Sequence, residues 1–165
     1  MKFLFAILAF SIATSPRSLS EDQWGSYQPR TLKSIVDAHN LSELEHLKGV
    51  PTKKNAMYIS ADSLPSRTPL IYLGQFRPLP AKSAVLLSAW KKTLGGQAPP
   101  QDVFSTEMRF KEGDEYWIAV QQPLIPDVRK ELKTGQEIDG YIIVIGAIKT
   151  GRSWEWLFAM NRFDS

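Results

Sequence analysis

The chain has 165 residues and a formal charge of +3, set by 20 Lys and Arg against 17 Asp and Glu, and it contains no cysteine. That length suits one domain with a real core. The absence of thiols excludes disulfides, thiolate catalysis, a lipid-modified N-terminal cysteine and zinc sites built on cysteine.

Residues 1–20 read MKFLFAILAFSIATSPRSLS. One lysine, Lys2, precedes an apolar run from Phe3 to Ala13 that only Ser11 interrupts, and small residues follow. This is the layout of a secretory signal peptide, with cleavage expected after Ala13 or after Ser20. The run is too short to span a bilayer, which needs about 20 apolar residues. The mature protein is therefore expected to be soluble, periplasmic or secreted, with no transmembrane anchor after cleavage. Loss of residues 1–20 removes Lys2 and Arg17 and no acid, so the charge falls from +3 to +1. A nearly neutral domain argues against nucleic acid or an anionic membrane as partner, since both call for clustered excess cations.

Residues 21–68 form an expected helical and loop segment. Leu32, Ile35, Val36 and His39 share one face at helical spacing, and Asn40 with Glu43 resembles a capping box, so that two short helices or one kinked helix are expected. A short strand is expected near Ala56–Ile59. Residues 69–165 form the expected core, beginning with a strand at Leu70–Phe76 that Pro78 ends. The segment 81–94 predicts the longest helix, with Leu86, Leu87, Trp90 and Leu94 on one face, Val85 and Ala89 widening it, and Gly95-Gly96 stopping it. A hairpin follows, with Phe104, Thr106, Met108 and Phe110 facing inward, a turn at Glu112-Gly113-Asp114, and a return over Glu115–Gln121. A short helix around DVRKELK ends near Gly135.

The last hairpin, 140–163, is apolar on both faces of its first strand. Ile142, Val144 and Ile148 are expected on one side, with Tyr141, Ile143, Ile145 and Ala147 on the other. A half-exposed strand would alternate apolar and polar. The expected cover for its outer face is the helix 81–94, and Trp154, Trp156 and Phe158 are expected to be buried on its inner face.

From residue 70 the order is strand, helix, strand, strand, short helix, strand, strand. This resembles the five-stranded OB barrel, apart from the helix between its first two strands. The expected class is α+β, a small curled antiparallel barrel or sheet of about five strands, OB-like or SH3-like, with one long helix packed outside and N-terminal helices.

His39, Glu43 and His46 fall at i, i+4 and i+7. Two histidines seven residues apart are separated by about 10 Å along a helix, too far to hold one ion unaided, so no metal is expected. No G-x-S-x-G elbow or phosphate loop occurs, and no cofactor is expected. The cluster Glu112, Asp114 and Glu115 reads as a polar turn. The candidate ligand-binding residues are Trp117, which lies opposite a face already supplied by Tyr116, Ile118 and Val120, together with Arg109, Arg152 and Arg162. The resulting expectation is an exported, non-catalytic binding or accessory module of the cell envelope, with an oligosaccharide, peptide or protein partner. The rivals are a small envelope hydrolase using Glu107, Glu112, Asp114 or a histidine, and a subunit that pairs through an exposed strand edge.

Overall fold

The computed structural model describes residues 24–41, 56–93 and 104–165. The expected signal peptide, Glu43, His46 and the expected stop after the helix at 81–94 lie outside those residues. The elements in order are β1 (Gln28–Pro29), α1 (Leu32–His39), β2 (Met57–Ile59), β3 (Ser66–Pro78), α2 (Ala81–Thr93), β4 (Phe104–Glu112), β5 (Asp114–Gln121), α3 (Ile125–Glu131), β6 (Glu137–Thr150) and β7 (Ser153–Asp164).

The fold is α+β, and the described residues form seven strands in one sheet in the order β1-β3-β4-β5-β7-β6-β2. β6 also pairs with β3, so the pairings pass through β3, β4, β5, β7 and β6 and return to β3. The sheet is mixed rather than antiparallel: β1 runs parallel to β3, and β5 runs parallel to β7. The expected long helix is also corrected, because α2 has 13 residues, under four turns.

Two apolar clusters lie on opposite sides of β6. The inner one joins Ile138, Ile142 and Val144 of β6 to Leu70, Met108, Phe110, Ile118, Phe158 and Met160, with Leu32 and Ile35 of α1 closing one end. The outer one joins Ile143, Ile145 and Ile148 to Leu86, Leu87 and Trp90 of α2. The two apolar faces of β6 thus meet the interior of the sheet on one side and helix α2 on the other. Val85 does not share in this packing and is 54% exposed.

The face assignment of β6 differs from strict alternation at Ile148, which belongs to the outer cluster although Ile142 and Val144 face inward. The pairing with β7 slips by one residue between Val144 and Gly146. One extra residue in a strand moves every later side chain to the opposite face. Gly146 sits at this bulge because a Cβ there would lie 2.1 Å from the Tyr58 carbonyl oxygen of β2. A second slip, between Phe104 and Thr106 of β4, sends Phe104 to the outer cluster while Met108 and Phe110 face inward.

Helix α1 begins at Thr31, whose hydroxyl accepts from the Ser34 N–H at 3.0 Å. It ends at Asn40, which adopts the left-handed conformation (φ 33°, ψ 51°). The chain does break at Asn40, which closes the first helix; the expected second helix over the residues after Leu41 lies outside the described residues. Among the described residues no helix is long and apolar enough to cross a membrane.

Candidate functional site

The parallel pair β5–β7 is joined only from Ile118/Phe158 to Val120/Met160. Toward the start of both strands that pairing is absent, and a cavity of about 710 Å³ opens between them. Tyr116 and Trp117 of β5 both line it, as do Trp156 and Leu157 of β7. Consecutive residues of a strand point to opposite faces, so both members of each pair reach one cavity only where the strands have parted. The cleft is therefore a split in the sheet, with an aromatic interior and a charged rim.

The rim comes from neighbouring elements. Arg77, near the end of β3, lies opposite Glu107 of β4. The Glu107 carboxylate accepts from Arg77 Nε at 2.8 Å and pairs with Nη2 at 2.7 Å. Glu107 itself is 2% exposed, so its charge is compensated at the cleft wall by Arg77. The Arg77 guanidinium lies 4.1 Å from the Trp117 ring centroid, within cation–π range. Lys82 on the first turn of α2 donates to Glu155 of β7. That hydrogen bond is the main cause holding the Glu155 carboxyl below its usual range, against a smaller opposing effect of burial. Such a group stays ionised at neutral pH and does not suit a general acid.

Trp117 is half-buried, with Arg109 as a second cation 5.7 Å from its ring. Arg109 is fixed by Gln75 at 2.8 Å and by an ion pair with Glu115. Of the residues singled out from the sequence, Trp117 thus lines the cleft and Arg109 stands beside it. Arg152 lies in the β6–β7 turn and lines a neighbouring cavity of about 280 Å³. Trp154 and Trp156 line both spaces. These two indoles are half-buried, whereas Phe158 alone of the expected aromatic trio is fully buried. The difference follows from the split: Phe158 lies where β5 and β7 are paired, and the two tryptophans precede that point.

Arg162 lies elsewhere. Its guanidinium sits 5.2 Å from the Trp24 ring and 5.1 Å from the Tyr141 ring, and it pairs with Asp164 at 2.9 Å. It belongs to an aromatic clamp that holds the segment around Trp24 and Tyr27 against β6.

The carboxylates proposed for hydrolysis do not assemble. Glu112 and Asp114 do not line the cleft. Glu112 instead accepts from the backbone N–H of Leu32 at 2.7 Å and of Lys33 at 3.4 Å, capping α1. His39 lies 3.3 Å from the Ser60 hydroxyl and edge-on to Tyr58 and Trp156. Sequence reasoning missed Arg77, Lys82 and Glu155 as rim residues. Arg77 had no signal in its local pattern, because its partners are brought to it by strand register from positions 30 and 40 residues away.

Comparison with protein-family models, curated proteins and solved structures yields no match to this chain.

Proposed function

We propose that this chain is an exported, non-catalytic binding module whose cleft between β5 and β7 takes an uncharged oligosaccharide. The observation that carries this reading is the make-up of the cleft, in which Trp117, Trp154 and Trp156 stand among cation–carboxylate pairs that leave no surplus charge. Arg77 with Glu107, Lys82 with Glu155 and Arg109 with Glu115 form three such pairs in and beside it. Sugar rings offer apolar C–H faces to an indole and hydroxyl edges to planar carboxylate and guanidinium groups. A nucleic acid would need uncompensated cations to neutralise its phosphates, and Glu107, Glu115 and Glu155 oppose it.

The strand order supports the same reading. The ring of pairings β3-β4-β5-β7-β6, with the short helix α3 between β5 and β6, the third and fourth of these strands in chain order, is read as an OB-like barrel. Barrels of that kind bind oligosaccharides and oligonucleotides on the second and third strands and on the loops after the first and fourth. In this chain those parts are β4, β5, the connection carrying Lys82 and the turn carrying Arg152. The α3 position favours OB-like over SH3-like. The leader-like residues 1–20 are what supports a location in the periplasm or outside the cell.

The reading is tested by titrating the mature protein with cellohexaose, chitohexaose and maltohexaose while following tryptophan fluorescence, with the oligonucleotide dT12 as the competing class. Saturable quenching or enhancement by at least one hexasaccharide, insensitive to salt, is expected. Binding of dT12 that weakens steeply with salt, with none of the sugars bound, would replace the saccharide reading with a nucleic-acid one.

A further inference from the structure

We infer that the smaller cavity beside the cleft is a second subsite for the same ligand, so that the protein selects oligosaccharides long enough to occupy both. This rests on the saccharide reading of the larger cleft. Trp154 and Trp156 are walls of both spaces, so a chain stacked on these indoles has a route from one to the other. The sizes assign the roles. The larger cavity, about 710 Å³, lies within the roughly 300–1,000 Å³ of self-sufficient ligand sites, whereas the smaller, about 280 Å³, lies just under it.

The second cavity has its own polar set. Asp37 and Asn40 come from the end of α1, Arg152 from the β6–β7 turn and Ser153 from the start of β7. Asp37 is paired with Lys33 at 2.7 Å, while Arg152 forms no ion pair with a described residue. Its guanidinium is thus available to sugar hydroxyls at the far end of the trough. The wall that carries Asp37 is fixed, because Leu32 and Ile35 anchor α1 in the inner core and Glu112 caps it. A ligand already held at the first subsite reaches this wall without a second loss of translational freedom, so contact there appears as added affinity.

Calorimetric titration with chito- and cello-oligosaccharides of two, four and six units tests this directly. In the series that binds, the hexasaccharide is expected to bind at least tenfold more tightly than the disaccharide. Arg152→Ala should bring the hexasaccharide back toward the disaccharide value. Ser153→Trp, which fills the cavity from the exposed first residue of β7, should do the same. Arg152 is exposed, so its variant is expected to melt with the wild type. Equal affinity across lengths, or hexasaccharide binding unaltered in Arg152→Ala, would overturn the second subsite and leave the first standing. No binding at any length in either series, nor of maltohexaose, would overturn the saccharide reading and the subsite with it.

Discussion

The Glu112 carboxylate accepts the backbone N–H of Leu32 at 2.7 Å across 80 residues of chain. The tip of the β4–β5 hairpin thereby caps α1 and holds the wall of the smaller cavity. Burial, the largest cause, raises the Glu112 carboxyl above its ordinary range, and the N–H groups of Leu32 and Lys33 oppose that rise only in part. A raised acid favours the protonated form in the folded state. Its contribution is therefore fully present below the unfolded value and is lost as pH rises through the folded one. Thermal melts of wild type and Glu112→Gln at pH 7, 5.5 and 4 should show the wild type gaining on the variant as pH falls. A gain in the opposite direction would contradict the burial account.

His39 behaves with the reverse sign. Burial against Tyr58 and Trp156 lowers its pKa, with Asp62 acting weakly the other way. A lowered base contributes stability above its unfolded value, about 6.5, and loses it as pH falls through the folded value. The melting temperature of the wild type should drop between pH 7.5 and 5 by more than that of His39→Gln. Equal drops would mean that the ring is solvated in both protonation states.

Helix α2 is held by Leu86, Leu87 and Trp90, each no more than 3% exposed. Leu87→Ala should cost about 2–5 kcal/mol in urea denaturation. Val85→Ala, two residues away on an exposed side chain, should stay within about 0.5 kcal/mol. A large effect at Val85 would show that this face is covered in solution.

Gly146 tests the pairing of β2 with β6. The Tyr58 carbonyl oxygen lies 2.1 Å from where an alanine Cβ would stand, and backbone must move to admit it. Gly146→Ala should destabilise by about 1–3 kcal/mol or more, as overpacked sites do. An unchanged melting temperature would place β2 elsewhere.

Much of this architecture is legible in periodicity, and its limits are equally physical. The two apolar faces of β6 announce a cover on each side, and Leu86, Leu87 and Trp90 supply the outer one at helical spacing. The switch of Ile148 to the outer face is not legible, because a bulge depends on how β7 is registered against β6, not on the sequence of β6. The same limit applies at the cleft. Trp117 stands out as an aromatic on a polar face, yet its contact with Arg77 depends on the alignment of β3, β4 and β5. Trp154 and Trp156 follow the alternation of core residues, and only the parting of β5 from β7 leaves them half open. Arg152 and Arg162 look equivalent at the two ends of β7, but one faces a cavity and the other is engaged with Trp24, Tyr141 and Asp164.

The leader can be checked without any ligand. Mass spectrometry of protein recovered from the exported fraction should find a chain beginning at Thr14 or at Glu21, after loss of residues 1–13 or 1–20. An intact Met1 chain there would remove the basis for the export assignment.

The cleft itself is tested most directly by calorimetric titration of wild type, Trp117→Ala and Trp24→Ala with whichever of cellohexaose, chitohexaose or maltohexaose the wild type binds. Trp117 stands in the cleft under Arg77, and Trp24 stands in the clamp with Arg162. Loss of a stacking platform should weaken binding at least tenfold in Trp117→Ala, while Trp24→Ala should bind as the wild type does. Unchanged affinity in a folded Trp117→Ala, or a loss confined to Trp24→Ala, would contradict the placement of the ligand between β5 and β7.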